Sequence, residues 1–338
     1  METLFPSETI NLDSVDFLYG SDYIDRKFFK ELNETRVKFY QEICAEYVKE
    51  LRIIAKYMPV QNGELIEESV PFHLREDILR DYKRKKNLEY LPLDKDIEGT
   101  TLVMPLSTNS KSHFILESMP YLAINRISSI DNILFYTEYN KNFEFIIDNY
   151  FNKKINYFYY KNENLKLENS IVPKYRFSAH PSMKKTITDI IGNLKKDNEF
   201  KSAEKIYISR QDSIHYRTLL NECKVANLFE EYGFKILHLN TMDESQLIQY
   251  FLNASYIAGT IGAGLYNSIY SNKKAKLIGL NSPNYNLSFL DDCISLNESK
   301  RGYIFGPEFI SFDDSHKGVH NNFLIDLEDV KEFLKKEF

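Results

Sequence analysis

The sequence predicts an α/β protein with two doubly wound parallel sheets behind an N-terminal helical extension. Two observations carry that expectation. From residue 100 onward, short β-prone runs alternate with amphipathic segments of helical length, and ASYIAGTIGAGLYNSIYSNKKAKLIGL at 254–280 strings strand, glycine turn, helix and strand into one βαβ unit. Strands and helices alternating at these lengths pair in parallel through crossover connections. The expected division is a helical extension over 1–99, a first sheet domain over 100–180, a second over 181–320 and a closing helix over 321–338.

At 338 residues the chain is long for a single core, which favours two domains. Forty-nine acidic against 43 basic side chains give a net charge of −6. The signs are mixed along the chain, which argues against a binder of nucleic-acid phosphates. Cys44, Cys223 and Cys293 are far apart, odd in number and without C-x-x-C spacing, so they read as reduced thiols. The opening METLFPSETINLDSVDF has no basic stretch followed by an apolar run, and no window approaches 18 apolar residues, so a cytoplasmic protein is expected. Sequons at Asn33, Asn253, Asn286 and Asn297 are chance matches in that setting. No internal repeat is visible.

Residues 1–25 give no clear element. Residues 26–57 lack Gly and Pro and carry Phe29, Leu32, Tyr40, Ile43, Tyr47, Leu51 and Ile54 at near-heptad spacing, which predicts one long or two consecutive amphipathic helices before Pro59. Such a helix would allow a homodimer seam or a peripheral association with the inner membrane. Asn62-Gly63 marks a turn, and 73–86 a charged helix with cations at its C-terminal end.

The first αβ series is strand 101–106, loop 107–111, helix 113–127, strand 132–137, helix 142–151 and strand 155–160, with a further strand over 165–172 and a polar, proline-bounded connection over 173–181. In the second, helix 183–196 leads to strand 205–209, helix 214–232, strand 234–239 and helix 245–253, with a capping box at Thr241 and Glu244. Strand 256–258, the GTIGAG turn, helix 265–270 and strand 276–280 follow, and helix 326–338 closes the chain with Leu327, Val330 and Phe333 on one face.

Ligands of doubly wound sheets sit beyond the carboxyl ends of the strands. The turn at 259–264 lies at that edge, and Gly262 and Gly264 there let backbone N–H groups approach a phosphate. Arg210 follows a strand at the same edge and Arg217 falls on the next helix, a fork suited to pyrophosphate. His113 and Glu117 are four apart at the carboxyl edge of the first sheet; Glu117 would serve as general base, with His113 orienting it or meeting phosphate. His73, His180, His215, His238, His316 and His320 form no H-x-x-x-H or H-E-x-x-H set, and the carboxylates of Asp313-Asp314 would diverge on a strand. No D-x-D motif leads into a plausible divalent-cation site, so neither a metal nor another cofactor is expected.

SHFILESMPYL at 112–122, KIYISRQDSIHYRTLLNE at 205–222, GFKILHL at 233–239 and SYIAGTIGAGLYNSIY at 255–270 together resemble glycosyltransferase family 61. The resemblance implies a GT-B architecture, in which two Rossmann-like domains face each other across a cleft. It also implies metal-independent, inverting transfer from a nucleotide sugar, most often UDP-linked. It puts Arg210, Arg217, Asn221 and Glu222 on the donor, and Thr260, Gly262, Ala263, Gly264 and Leu265 around its diphosphate. Ile261 stands where the family's turn carries a histidine. The acceptor implied is a growing glycan, free or lipid-linked, of a bacterial capsule, lipooligosaccharide or exopolysaccharide. Two other readings remain open: a polysaccharide pyruvyl transferase, which shares the two-domain form and a strand-Arg segment, and a non-catalytic nucleotide-sugar or glycan-binding protein that assembles through 26–57.

Overall fold

The computed structural model describes the chain apart from residues 35, 56, 72–73, 86, 106–108, 152, 177–179, 195–201, 212–216, 272–274, 285–290, 292, 294–295, 297–298 and 310–320. The expectations at Ser107, His73, His215, His316, His320, Asn286, Asn297 and Asp313-Asp314, and at the start of the 214–232 helix, lie outside the described residues. The chain forms two compact units, one of Met1–Glu8 with Phe39–Leu194 and one of Thr9–Lys38 with Lys195–Phe338. Each holds parallel strands and helices, an α/β fold as expected.

In the first unit, four parallel strands run in the order Asn156–Tyr159, Asn132–Phe135, Lys95–Met104 and Leu165–Pro173. The sheet then continues antiparallel through Ile43–Ile54, Met58–Gln61 and Glu64–Leu65, with Glu2–Phe5 also paired to Ile43–Ile54. The amphipathic helix expected over 26–57 is therefore corrected. Only Arg26–Asn33 is helical, and Arg36–Tyr40 and Ile43–Ile54 are strands. The extension expected over 1–99 is divided between the two units.

The reason is local. Val48 and Leu51 are both buried, three residues apart, because Glu50 takes a positive φ of 52° and interrupts the two-residue alternation, so a strand imitates helical spacing. Laddering to Leu165–Pro173 and burial of Val48, Leu51, Ile53 and Ile54 in one core cluster override the residual helix propensity. The Asn62-Gly63 turn is present, with φ of 51° and 81°, joining Met58–Gln61 to Glu64–Leu65 in the conformation that Asn-Gly favours. The charged helix is Arg75–Arg84, with Lys83 and Arg84 in its last turn.

The helix expected over 113–127 is continuous but irregular. Lys111–His113 is α-helical, Phe114–Ser118 forms a widened π turn and Met119–Arg126 tightens to 3-10. Pro120 lies at the seam and has no N–H to donate to the preceding turn.

The second unit is built on six parallel strands in the order Lys235–His238, Lys205–Ser209, Tyr256–Thr260, Lys276–Asn281, Lys300–Phe305 and Phe17–Tyr19. The last comes from the N-terminal stretch that gave no clear element. It is tied in through Arg301: its backbone N–H donates to the Asp16 carboxylate at 2.8 Å, and its Nη2 donates to the Asp13 carbonyl at 2.8 Å. Arg36 makes a two-pronged contact with the buried Asp291, at 3.0 and 3.2 Å.

Two helix starts differ from expectation. The helix expected from residue 214 covers Glu222–Glu231, and the helix Glu244–Asn253 is capped by Asp243, whose carboxylate accepts from the Gln246 N–H at 2.8 Å, rather than by Thr241 and Glu244. The closing helix Leu327–Glu337, capped by Asp326, buries Val330, Phe333 and Leu334.

Candidate functional site

In both sheets the strand order reverses between two neighbouring parallel strands, a topological switch point beyond whose carboxyl ends such sheets take ligands. In the second unit it lies between Lys205–Ser209 and Tyr256–Thr260. In the first it lies between Lys95–Met104 and Leu165–Pro173.

At the second unit's switch point the two arginines converge on the glycine turn. A Cβ placed on Gly262 would sit 2.8 Å from Nη1 of Arg210 and 3.9 Å from Nη1 of Arg217, so a side chain there would intrude on the guanidiniums. Arg217 does not lie on the helix that the sequence predicts for it: it precedes Glu222–Glu231 with a left-handed φ of 57°. Such a backbone costs about 1–3 kcal/mol for a non-glycine residue and tends to persist at ligand sites. The helix after the turn is also shorter than its pattern suggested. Ala263–Tyr266 is one α turn passing into a 3-10 turn at Asn267–Tyr270, so the macrodipole contributes little and the positive potential comes from the guanidiniums.

The other donor-side residues divide by burial. Ala263 is exposed beside Gly262, whereas Leu265 is wholly in the core and Gly264 gives the turn close access to Ile208, 2.9 Å from where its Cβ would be. Thr260 is buried, and its Oγ1 has no hydrogen-bond partner among the described residues. Asn221 uses its whole amide on the backbone of Ile325, donating to the carbonyl at 2.7 Å and accepting from the N–H at 3.2 Å. Glu222 is buried and accepts from the Arg210 backbone N–H at 2.7 Å. Burial pushes its carboxyl pKa up, against the Arg210 N–H, the Ser209 hydroxyl and the Arg210 charge. Asn221 and Glu222 thus hold the loop that presents Arg210. Ile261 packs into the sheet, its Cδ1 2.8 Å from a Cβ built on Gly279 and its N–H bonded to the Leu280 carbonyl at 3.1 Å.

At the first unit's switch point the π turn carries Glu117 inward. Its carboxylate is completely buried, and Oε1 meets Nδ1 of His113, whose side chain is 34% exposed. An ionised carboxylate can only accept, an arrangement that puts the ring proton on Nδ1 and the lone pair on Nε2. Oε2 of Glu117, Oγ of Ser118 and the Tyr57 hydroxyl are buried without hydrogen-bond partners among the described residues. The Tyr57 phenol is pushed far above its ordinary value by burial first, then by Tyr121 and Glu117. The Tyr121 hydroxyl donates to the Lys174 carbonyl.

Sequence reasoning passed over Tyr57, Tyr121 and Arg176. For Arg176 a signal was present: it follows a strand, as Arg210 does, in IVPKYR at 171–176. His180, by contrast, is a core residue, stacked on Phe5 with ring centroids 5.4 Å apart and accepting from the Ser182 N–H at 3.2 Å. Cys44, Cys223 and Cys293 are in no disulfide among the described residues. Among the described residues no group of three or more His, Cys, Asp or Glu side chains is arranged to hold a metal ion, and no helix is long and apolar enough to cross a membrane.

The family model for Glycosyltransferase 61 matches residues 112–278, a span that holds His113, Glu117, Arg210, Arg217 and the glycine turn. No curated protein matches the chain. Over those matched residues the chain belongs to glycosyltransferase family 61, and the enzyme it carries there is a glycosyltransferase.

Proposed function

We propose that the enzyme moves a sugar from a nucleotide-sugar donor, UDP-linked in the first instance, to a growing bacterial surface glycan, with inversion, without a metal ion and on the cytoplasmic side, its two units working as a GT-B pair. The observation that carries this reading is the convergence of Arg210 and Arg217 on Gly262 at the switch point of the second sheet. Two guanidiniums at one backbone turn suit a diphosphate, whose charge grows as the sugar leaves. They supply by hydrogen bonds the stabilisation that a cation would otherwise give.

The acceptor hydroxyl needs a proton acceptor, and the burial of the first unit's pair favours His113 in that role with Glu117 orienting it, the reverse of the sequence expectation. A fully buried carboxylate does not reach a substrate, whereas the partly exposed ring above it does. In the single displacement that follows, the acceptor oxygen bonds to the anomeric carbon as the bond to the diphosphate breaks. Its proton passes to Nε2 of His113, and Glu117 stabilises the imidazolium.

The test is a calorimetric titration of UDP, CMP, GDP, TDP, ADP and phosphoenolpyruvate, without metal, into wild type and Arg210→Ala. One nucleoside diphosphate is expected to bind and to be lost in Arg210→Ala. Binding of phosphoenolpyruvate alone would replace this reading with pyruvyl transfer, and binding of none would remove the donor site.

A further inference from the structure

The first unit's switch point has a second side that the transfer step does not use. It is formed where Leu165–Pro173 ends, and Lys174, Tyr175 and Arg176 leave the sheet beside the end of Lys95–Met104. Arg176 is only partly buried, yet its Nε is buried and without a hydrogen-bond partner among the described residues, while its Nη1 donates to the Tyr175 carbonyl at 2.9 Å. A guanidinium tethered by one nitrogen and left unsatisfied at another, at the edge where such sheets take ligands, has the form of an oxyanion site.

Its relation to the His113–Glu117 pair runs through Tyr121. That phenol lies within electrostatic reach of both Glu117 and Arg176. The neighbouring carboxylates have other partners: Glu68 is paired with Lys174 at 2.8 Å, and Glu117 with His113. Neither is bonded to Arg176.

We infer that Arg176 binds an oxyanion carried by the acceptor, the carboxylate of an acidic sugar or a phosphate group, and so holds the reacting hydroxyl at His113. The inference rests on the transferase reading for what the acceptor is, and names its class: an anionic glycan. The shared chemistry is a planar fork on two oxygens, which carboxylate and phosphate both offer. Arg176 is a binding and positioning residue, and it takes no proton.

The experiment follows glucose, glucuronate and glucose 6-phosphate binding to the full chain by NMR titration, in the Arg210→Ala background so that the second unit's anion site does not contribute. At least one charged sugar is expected to bind roughly tenfold more tightly than glucose, and the one that does identifies the source of the anion. Arg176→Gln should bring all three sugars within twofold of one another. Arg176→Lys, which keeps the charge and loses the fork, should retain part of the preference and serves as the second variant if Arg176→Gln melts early. Equal binding of the three sugars in the Arg210→Ala chain would overturn the inference without any further variant, and so would a preference that survives Arg176→Gln. Nucleotide titration of the wild type separates the two claims. Loss of UDP binding with the charged-sugar preference intact sinks the donor reading alone, and UDP binding with no such preference sinks this one alone.

Discussion

Glu117 in the first unit and Glu222 in the second are both buried at the carboxyl edge of parallel strands, and the two are held in opposite ways. Glu222 is enclosed by donors: the Arg210 backbone N–H at 2.7 Å, the Ser209 hydroxyl and, at 3.5 Å, the Tyr207 phenol. Glu117 meets one side chain, His113, and its second oxygen is buried without a partner among the described residues. Burial is common to both, so burial of an acid does not by itself mark chemistry. What differs is the partner. Glu222 fixes a backbone, whereas Glu117 fixes a titratable ring with one side toward solvent, and an incompletely satisfied buried acid is tolerated where it does such work.

That comparison breaks most sharply on the first unit. His113→Ala is expected to lower the transfer rate by roughly 10²–10⁴ with nucleotide affinity unchanged, the range for losing a positioned general base. Glu117→Gln keeps the shape of the contact but not the charge, and should fall between that loss and none. Rate measurements at saturating donor, beside calorimetry with the nucleoside diphosphate, decide the matter. A large loss in Glu117→Gln with little in His113→Ala would return the proton-accepting role to the carboxylate.

Within the second unit, two glycines of one turn should respond differently. A Cβ on Gly259 would lie 2.7 Å from the Ile208 carbonyl, at a φ of 155°, so Gly259→Ala presses on backbone and should cost about 1–3 kcal/mol of stability. A Cβ on Gly262 would instead meet the end of the Arg210 side chain, which moves at low cost. With a φ of 159° at Gly262, Gly262→Ala shares the backbone strain but not the backbone clash, so it should lower the melting temperature by less than Gly259→Ala and, unlike it, weaken nucleotide binding by roughly tenfold through a displaced charge-assisted contact. Equal nucleotide binding in both variants would mean that the guanidiniums have no special claim on Gly262.

The same physics explains what the sequence discloses. The second unit's site is legible because strand, arginine and glycine turn are each local signals, and parallel order brings the ends of Lys205–Ser209 and Tyr256–Thr260 side by side. Helix boundaries were harder. Leu219 and Leu220 read as helix by pattern, but Leu219 bridges to Phe323, far off in sequence, and the Leu220 N–H goes to the Phe323 carbonyl at 2.9 Å. The strand Ile43–Ile54 was misread because one positive φ at Glu50 changes the spacing of buried residues, and Phe17–Tyr19 was missed because three residues carry no period. Ile261 stands where the family's turn carries a histidine. Its side chain packs against Gly279 in the sheet, so the substitution changes the core beneath the turn.

The smallest expected effect concerns Glu222, and its sign follows from the cause. Burial raises its pKa in the folded state above the ordinary 4.5, so the folded chain holds that proton more tightly than the unfolded chain does. The group therefore favours folding most below the ordinary carboxylate value, and that contribution is lost as pH rises through its raised folded pKa. Glu222→Gln removes the titration and keeps an amide oxygen for the Arg210 N–H. Melting curves taken from pH 4 upward should show wild type losing stability relative to Glu222→Gln across that interval, with the two running parallel above it. Arg210, Ser209 and Tyr207 all oppose the shift, so the difference stays small. A wild type that instead gains on the variant as pH rises would mean that these donors outweigh burial, and that Glu222 is held as a fully stabilised anion rather than as a strained part of the frame.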